Sequence, residues 1–502
     1  MTRLIVILWV LAGGGFLQVD LFGREDGKRR EGPESFANQQ VRPKAKRPAK
    51  RPVEILNILS EASAAPPEFA ADVLIRVARS KKVQDPSWKR EMLEEAFRLA
   101  SKSEHKIKRD YAGEVMDTRE GYLSMALALK LDSLSLQSKA VTAMLSVDKQ
   151  RAREMFSEIN PDLKLPALTC EDALIPDVSD FYDALKQVAL ETFGPEEVRN
   201  GTQLWFVQRY VAAMTSPSQV APLARVIVSL DTTPAQFSVL LTSFSNALKL
   251  VSNDYRTFLF SVFRDPPSQV FTELAAACDR KGVPTDDLLK SLRAYIVANF
   301  TSAQCADNTV ARKKEVPGFI RVANNGILQP FPISLAEIQP SHVEGRVKTY
   351  PYWESPKAKE FLTNLKRLRF GSDNRPRTEA EKASSEWHQQ LIDYLNNLQS
   401  WSASHEQSES DYFHQKAIVY RVLSTEITSG LVRDRLLRSY ASFLSESFTH
   451  QGRAEWFLHA NHLLDQVRTP KGTDRTTLIG ILQATPNTVF RTYAHFYQAR
   501  LD

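Results

Sequence analysis

Three side chains near the end of the chain have the types and the spacing of a metal site. Glu455, His459 and His462 fall at i, i+4 and i+7, so a helix places all three on one narrow face. Carboxylate and imidazole groups are common ligands of zinc and iron. The sequence contains no HExxH motif and no second ligand pair at a fixed spacing. We therefore predict that the trio is the solvated flank of an amphipathic helix, with metal binding as the alternative.

The residues around this trio complete the amphipathic pattern. Gln466 continues the polar face by one further turn. The apolar face, centred about 110° away, contains Trp456, Ala460, Leu463, Leu464 and Val467. The pattern thus predicts one buried face, with the two histidines on the side that faces solvent.

The three cysteines, Cys170, Cys278 and Cys305, allow two interpretations. If the protein is exported, a Cys278–Cys305 disulfide would close a loop of about 28 residues and stabilise the fold by around 3 kcal/mol in the chain-entropy description. Alternatively, all three cysteines are buried thiols that pack as small apolar groups. Both interpretations stay open at the level of sequence.

Local motifs for catalysis or cofactor binding are missing from the sequence. It has no GxSxG, no GxxxxGK[ST], no GxGxxG and no CxxC. We predict no cofactor, and no catalytic residue can be named. Because helical enzymes can assemble a site from distant residues, an all-α enzyme stays as an alternative.

Glycine usage points to helices as the elements that must position any site. The chain has 19 glycines, and six of them fall in the first 32 residues. Phosphate-binding loops and tight hairpins need glycine for backbone with positive φ or for close approach to a ligand. The remaining 470 or so residues are therefore unlike a nucleotide-binding α/β protein or a β-sandwich. The composition predicts an all-α protein.

Helical spacing of apolar residues recurs along most of the chain. Proline and Asp or Ser at the start of each run, and short links between runs, predict antiparallel neighbouring helices. We expect irregular stacked helical hairpins, similar in architecture to an α-solenoid, or a helical bundle. No fixed repeat period is found.

The same spacing divides the body into three parts. A helical domain is predicted over 54–300 and a second one over 355–502. Between them, 301–354 contains five prolines and reads as an irregular, loop-rich segment. Short apolar pieces in it, such as 319–322, are expected to form brief strands.

The first residues have the layout of an export signal. Arg3 precedes an apolar run of eight residues, Leu4–Leu11, and small residues follow, so 1–15 is predicted to be a cleaved signal peptide. The run is shorter than the roughly 20 residues of a spanning helix. Four basic residues within 24–30 oppose translocation, however. The alternative is an N-terminal membrane anchor that is retained.

A basic, proline-spaced tether follows the signal over 16–53. It has no apolar periodicity and is predicted to be disordered. Residues 24–52 hold ten Lys/Arg and four Asp/Glu, which accounts for the whole net charge of +6. The body over 53–502 is neutral, so we expect no nucleic acid to bind to it.

These features together predict an exported helical scaffold that binds a protein or peptide partner, in the periplasm, at the cell envelope or outside the cell. One alternative is an exported all-α enzyme of hydrolase type with a site near 301–354. The other is a polyanion-tethering protein in which 24–52 binds an anionic polymer or a membrane surface.

Overall fold

Helices in this protein start where polar caps and prolines occur in the sequence. Asp132 and Asp148 each accept a hydrogen bond from the backbone N–H three residues later, at 3.0 and 2.9 Å. Pro86, Pro217 and Pro234 occupy the first turn of their helices, where a missing N–H costs nothing. These local signals fix where one helix ends and the next begins.

The computed structural model of the protein describes most of the chain after residue 50. The described ranges are 51–111, 118–165, 168–264, 267–307, 315–339, 342–346, 355–371, 374–404, 408–427, 431–468 and 475–501. The predicted signal over 1–15 and the tether up to residue 50 lie outside them.

These ranges contain 23 α-helices. The first eleven are Val53–Ser63 (α1), Pro67–Arg79 (α2), Pro86–Ala100 (α3), Arg119–Leu127 (α4), Ser133–Leu145 (α5), Lys149–Glu158 (α6), Ser179–Glu191 (α7), Pro195–Arg199 (α8), Thr202–Ala212 (α9), Pro217–Ser229 (α10) and Pro234–Leu248 (α11). The next six are Tyr255–Arg264 (α12), Pro267–Lys281 (α13), Asp286–Thr301 (α14), Glu315–Asn325 (α15), Pro356–Arg369 (α16) and Glu379–Lys382 (α17). The last six are Ser385–Ser400 (α18), Glu409–Glu426 (α19), Leu431–Ser447 (α20), Arg453–Arg468 (α21), Arg475–Gln483 (α22) and Thr488–Gln498 (α23).

Sheet structure is limited, in the described residues, to two short strand pairs. Arg109–Tyr111 (β1) pairs antiparallel with Leu174–Pro176 (β2), with Asp110 opposite Ile175. Gln304–Asp307 (β3) pairs in parallel with His342–Arg346 (β4). The all-α class predicted from glycine usage is confirmed.

The helices stack in chain order. α2, α3, α5, α7, α10 and α13 each pack on the next, and α9, α11 and α14 form a second row that meets the first through α7 and α10. The later helices continue the same arrangement, from α16 and α18 through α19, α20, α21 and α22 to α23. This is the stacked helical architecture expected from the sequence.

The two ends of the helical body are packed together. α23 lies against α1 and α2, and α21 lies against α4. Tyr493 of α23 donates a hydrogen bond to Asp72 of α2 at 2.7 Å, and Lys82 Nζ donates to the carbonyl of Ala499 at 2.5 Å. An apolar core runs from the first helix to the last, and Lys50–Asp502 form one unit.

The segment predicted to be loop-rich contains a helix. In 301–354, α15 covers residues 319–322, so the expectation of a brief strand there was wrong. Pro317 lies in the first turn of α15, where it leaves the helix intact, and Ile320 and Ala323 are buried in the core. A 3₁₀ turn, Leu335–Glu337, follows.

Length and apolar composition decide whether a helix of the described ranges can cross a membrane. None of these helices combines the length and the apolar composition that crossing a bilayer requires.

Candidate functional site

α21 carries the three residues that the sequence indicated as metal candidates. His459 is completely buried, and Glu455 and His462 are half-buried. The expectation of a solvated flank was therefore wrong for His459. Because α21 packs against α4, α19, α20, α22 and α23, it has neighbours around most of its circumference. The predicted apolar face is buried as expected, with Trp456 at its centre.

The metal candidates do not converge on one point. The Glu455 carboxylate folds back onto Gly452 at the start of α21. His459 Nε2 instead faces His414 of α19, with 2.9 Å between Nε2 and the Nδ1 of His414. Among the described side chains, no three of His, Cys, Asp or Glu are grouped as a bound metal ion requires.

The contact between His414 and His459 holds one proton. At 2.9 Å one nitrogen donates and the other accepts. The other nitrogen of His459, Nδ1, is buried and has no hydrogen-bond partner within the described ranges. Each ring is a neutral imidazole with one N–H and one acceptor nitrogen, so either ring can be the donor. Both rings are neutral in either arrangement.

We call His414, His459 and His462 the histidine cluster. Burial lowers the pKa of all three. Desolvation and the nearby Arg421 guanidinium lower the pKa of His414 to about 3 and that of His462 to about 4. The pKa of His459 lies well below its ordinary value for the same reasons, with His414 adding to the effect. Imidazoles this weakly basic stay uncharged at neutral pH, so the cluster is suited to packing rather than to acid–base catalysis.

A serine lies beside the histidine cluster at the distance of a nucleophile from its base. His462 Nε2 is 3.1 Å from Ser424 Oγ. The Ser424 hydroxyl, however, donates to the carbonyl of Arg421 at 2.8 Å and accepts from the amide of Gln466 at 3.0 Å. Ser424 is also buried. Its hydroxyl therefore joins α19 to α21 and does not face a substrate.

Lys416 of α19 is a second buried group of a type that catalysis can use. Burial lowers its pKa to about 8, within the range of lysine nucleophiles. Its ammonium donates to the carbonyl of Trp401 at 2.6 Å and to the hydroxyl of Tyr412 at 3.0 Å. These contacts fix the link between α18 and α19, so Lys416 has a structural role in this arrangement.

The bonding state of the cysteines differs from the predicted Cys278–Cys305 disulfide. Cys278 is a free thiol on the buried face of α13, where burial raises its pKa to about 11. Its side chain packs in the apolar core, so the predicted bridge is not formed. Cys170 is disulfide-bonded instead.

A groove between α16 and α18 gathers polar side chains on the surface. Both walls begin at serine caps. The hydroxyl of Ser355 accepts from the N–H of Ala358 at 3.1 Å, and that of Ser384 accepts from the N–H of Trp387 at 3.2 Å. Gly371, Asn374 and Arg377, which follow α16, also line the groove. The caps therefore set where each wall starts.

Two aromatic side chains of α18 hold the walls of this groove together. Trp387 Nε1 donates to the carbonyl of Leu368 at 3.1 Å, and the hydroxyl of Tyr394 donates to the carbonyl of Phe361 at 3.0 Å. Phe361 also stacks on Trp401 with ring centroids 4.5 Å apart. These contacts preorganise the groove before any ligand arrives.

Hydrogen bonds hold the described lining residues that follow α16. The N–H of Gly371 donates to the carbonyl of Arg375 at 2.8 Å, and Asn374 has a φ of 59°, a left-handed conformation that asparagine tolerates. The Arg377 guanidinium donates to the carbonyl of Arg367 at 3.2 and 3.4 Å. It thereby places positive charge at the carbonyl end of α16, where the helix dipole favours it.

The groove is large and its charge is mostly positive. Its volume is about 760 Å³. Three cations line it, Lys366, Arg367 and Arg377, and Asp393 is the carboxylate of the lining. We call this site the cationic groove. It can bind a ligand that carries negative charge together with hydrogen-bonding groups.

Sequence reasoning missed the cationic groove, although a signal was present. Residues 356–377 contain seven Lys/Arg and two Asp/Glu, a local excess hidden by the neutral total of the body. Gln390, Asp393 and Asn397 fall at i, i+3 and i+7 on one face of α18. What the sequence did not show is that this polar face lies opposite the basic one.

No protein-family model matches the chain, and neither a curated protein nor a solved structure is similar to it.

Proposed function

We propose that the protein is an exported helical scaffold that binds a protein partner in the cationic groove. The observation that carries the proposal is the groove itself, with preorganised walls and exposed cations. Lys366 and Arg367 are exposed, which leaves them open to a partner. The contacts of the histidine cluster, Ser424 and Lys416 hold helices together, whereas the groove lining faces outward.

Export is supported by two independent features. One is the arrangement of Arg3 followed by the apolar run Leu4–Leu11. The other is the disulfide at Cys170, because disulfides persist mainly in oxidising compartments. N-terminal sequencing of the protein from the cells that make it tests this part of the proposal. A first residue near Gly15 supports export by a cleaved signal, and an intact Met1 in a reducing compartment contradicts it.

Site-specific photo-crosslinking in those cells tests the partner site. A photoreactive residue replaces Gln390 or Asn397, both exposed in the groove, or Ser101, which is exposed after α3. Ser101 serves as the matched control, because α3 packs on α2 and α5 and contributes no residue to the groove lining. We expect the same protein adduct from both groove positions and none from the control position.

Two outcomes of the crosslinking experiment count against the proposed partner site. An adduct that forms equally from Ser101 indicates nonspecific contact, and no protein adduct from either groove position contradicts the proposed partner site. Mass spectrometry of the adduct identifies the partner and the crosslinked peptide.

A further inference from the structure

The cations that line the cationic groove differ from neighbouring cations of the described residues in their ion pairing. Lys357 pairs with Glu360 at 2.8 Å, and Arg369 pairs with Glu426 at 2.8 Å. In contrast, Lys366, Arg367 and Arg377 form no ion pair with a carboxylate of the described residues. Uncompensated cations in a concave site attract anionic groups more strongly than the same cations on a flat surface.

The hydrogen-bonding groups of the groove match a peptide better than a uniform polyanion. Asn364, Asn374, Gln390 and Asn397 line it, and each amide offers both a donor and an acceptor. Peptide backbone presents the same two groups. Asp393 would repel a phosphate from its position, but it can accept a hydrogen bond from a peptide N–H.

Aromatic groups in the groove are not available to stack on bases. Tyr394 is buried and its hydroxyl is bonded to the carbonyl of Phe361, and Phe370 is half-buried beneath the Arg369 guanidinium. Proteins that bind single-stranded nucleic acid present exposed aromatic side chains as stacking surfaces. The lining therefore favours a peptide over a nucleic acid.

The length of the groove fits a short extended segment. On α18 its lining runs from Gln390 to Asn397, which is about 10 Å at 1.5 Å per residue. An extended chain advances about 3.3 Å per residue. The groove thus holds roughly three residues of extended peptide.

We propose that the cationic groove binds an extended, acidic segment of the partner protein, with its carboxylates on Lys366 and Arg367 and its backbone on the amides. This inference rests on the proposed function, because it names the chemistry of the partner that the scaffold binds. Carboxylate–guanidinium contacts supply charge-assisted hydrogen bonds, and the amides fix the direction of the chain.

Fluorescence anisotropy of the full chain with short labelled peptides tests this proposal. The probes are Gly-Glu-Ala-Glu-Ala-Glu-Gly, the same peptide with Gln in place of Glu, and a single-stranded oligothymidylate. We expect the Glu peptide to bind at least about tenfold more tightly than the Gln peptide, and its binding to weaken as salt is raised.

Charge reversal in the groove is the matching protein-side test. Lys366→Glu combined with Arg367→Glu should weaken binding of the Glu peptide by roughly tenfold or more. The control, Lys81→Glu combined with Lys102→Glu, changes the net charge equally at two exposed positions near α2 and α3. It should leave binding nearly unchanged.

The outcomes separate this inference from the proposed function. Equal binding of the Gln peptide, or binding of the oligothymidylate in preference to the Glu peptide, overturns the acidic-segment proposal. If no probe binds but Asn397 still crosslinks to a protein, the acidic-segment proposal fails and the partner site stands. If no probe binds and no groove position crosslinks to a protein, the acidic-segment proposal and the proposed partner site are both overturned.

Discussion

Each ring of the histidine cluster is neutral in a place where a charged ring would cost free energy. An unfolded histidine has a pKa of about 6.5, whereas burial holds the pKa of His414 at about 3 and that of His462 at about 4. Below pH 6.5 the unfolded chain therefore binds protons that the folded chain does not. The charged groups that act on His414 and His462 are Arg119, Arg421 and Arg433.

Acid should therefore destabilise the fold through these residues. Above pH 6.5 the effect is absent, and below it the free energy of unfolding falls by up to about 1.4 kcal/mol per histidine for each pH unit, until the folded pKa is reached. Replacing His414→Leu and His459→Leu together removes both rings without leaving one unpaired. We predict that the loss of stability between pH 7 and pH 5, measured by urea denaturation, becomes smaller by roughly 2 kcal/mol per histidine.

A histidine on the surface provides the control for this prediction. His388 is exposed on α18, so His388→Gln should keep the pH dependence of the unmodified protein. The same slope in the double variant and in the unmodified protein would show that the buried pair does not carry the effect.

At the scale of elements, α23 is held by an ionic cluster as well as by apolar packing. Asp72 of α2 is buried, and it accepts hydrogen bonds from Tyr493 at 2.7 Å and from Arg76 at 2.6 Å, with Lys139 of α5 at 3.8 Å. These partners hold the pKa of Asp72 below its ordinary value although desolvation opposes them. The cluster joins three helices at one carboxylate.

Removal of one hydroxyl should measure what this cluster contributes. Tyr493→Phe deletes a hydrogen bond to a buried carboxylate and is expected to cost about 2–3 kcal/mol of stability. Tyr394→Phe removes the same atom from a bond to a neutral carbonyl and is expected to cost about 1 kcal/mol. Equal losses in urea denaturation would contradict the role assigned to Asp72.

Many of the helices could be predicted from the sequence, because the signals that define a helix lie within a few residues of it. The apolar face of α3, with Trp88 and Phe97, is buried as expected, because spacing and an Asp85 cap act within a few residues. The contact of His459 with His414 joins residues 45 positions apart, and no local pattern encodes it. α15 was missed because Pro317 was read as a helix breaker, whereas proline is tolerated in a first turn.

At the scale of the whole molecule, contact between the last helix and the first two distinguishes this body from an open solenoid. In an open stack, each helix pair contacts its neighbours alone, so loss of the last helix frays one end. Here α23 packs on α1, α2, α21 and α22, and its Phe490, Tyr493, Phe496 and Tyr497 are buried. The last helix therefore completes the core of the first.

Truncation before α23 should accordingly unfold the entire body. Each large apolar side chain stabilises by about 1.5–3 kcal/mol when buried, and four of them together are comparable with the roughly 5–15 kcal/mol of a whole fold. We predict that a chain ending at Thr485 shows no cooperative thermal transition by circular dichroism. Deletion of residues 1–50 is the control and should change stability by less than about 0.5 kcal/mol. A truncated chain that melts cooperatively near the original temperature would indicate an open stack.

The proposed function places partner binding in the cationic groove. Hydrogen–deuterium exchange of the full chain, with and without the Glu peptide, measures this most directly. We predict slower exchange in peptides that cover 363–377 and 388–398, which contain the groove lining. Protection confined to other helices, or unchanged exchange at a peptide concentration that saturates anisotropy, would contradict the claim.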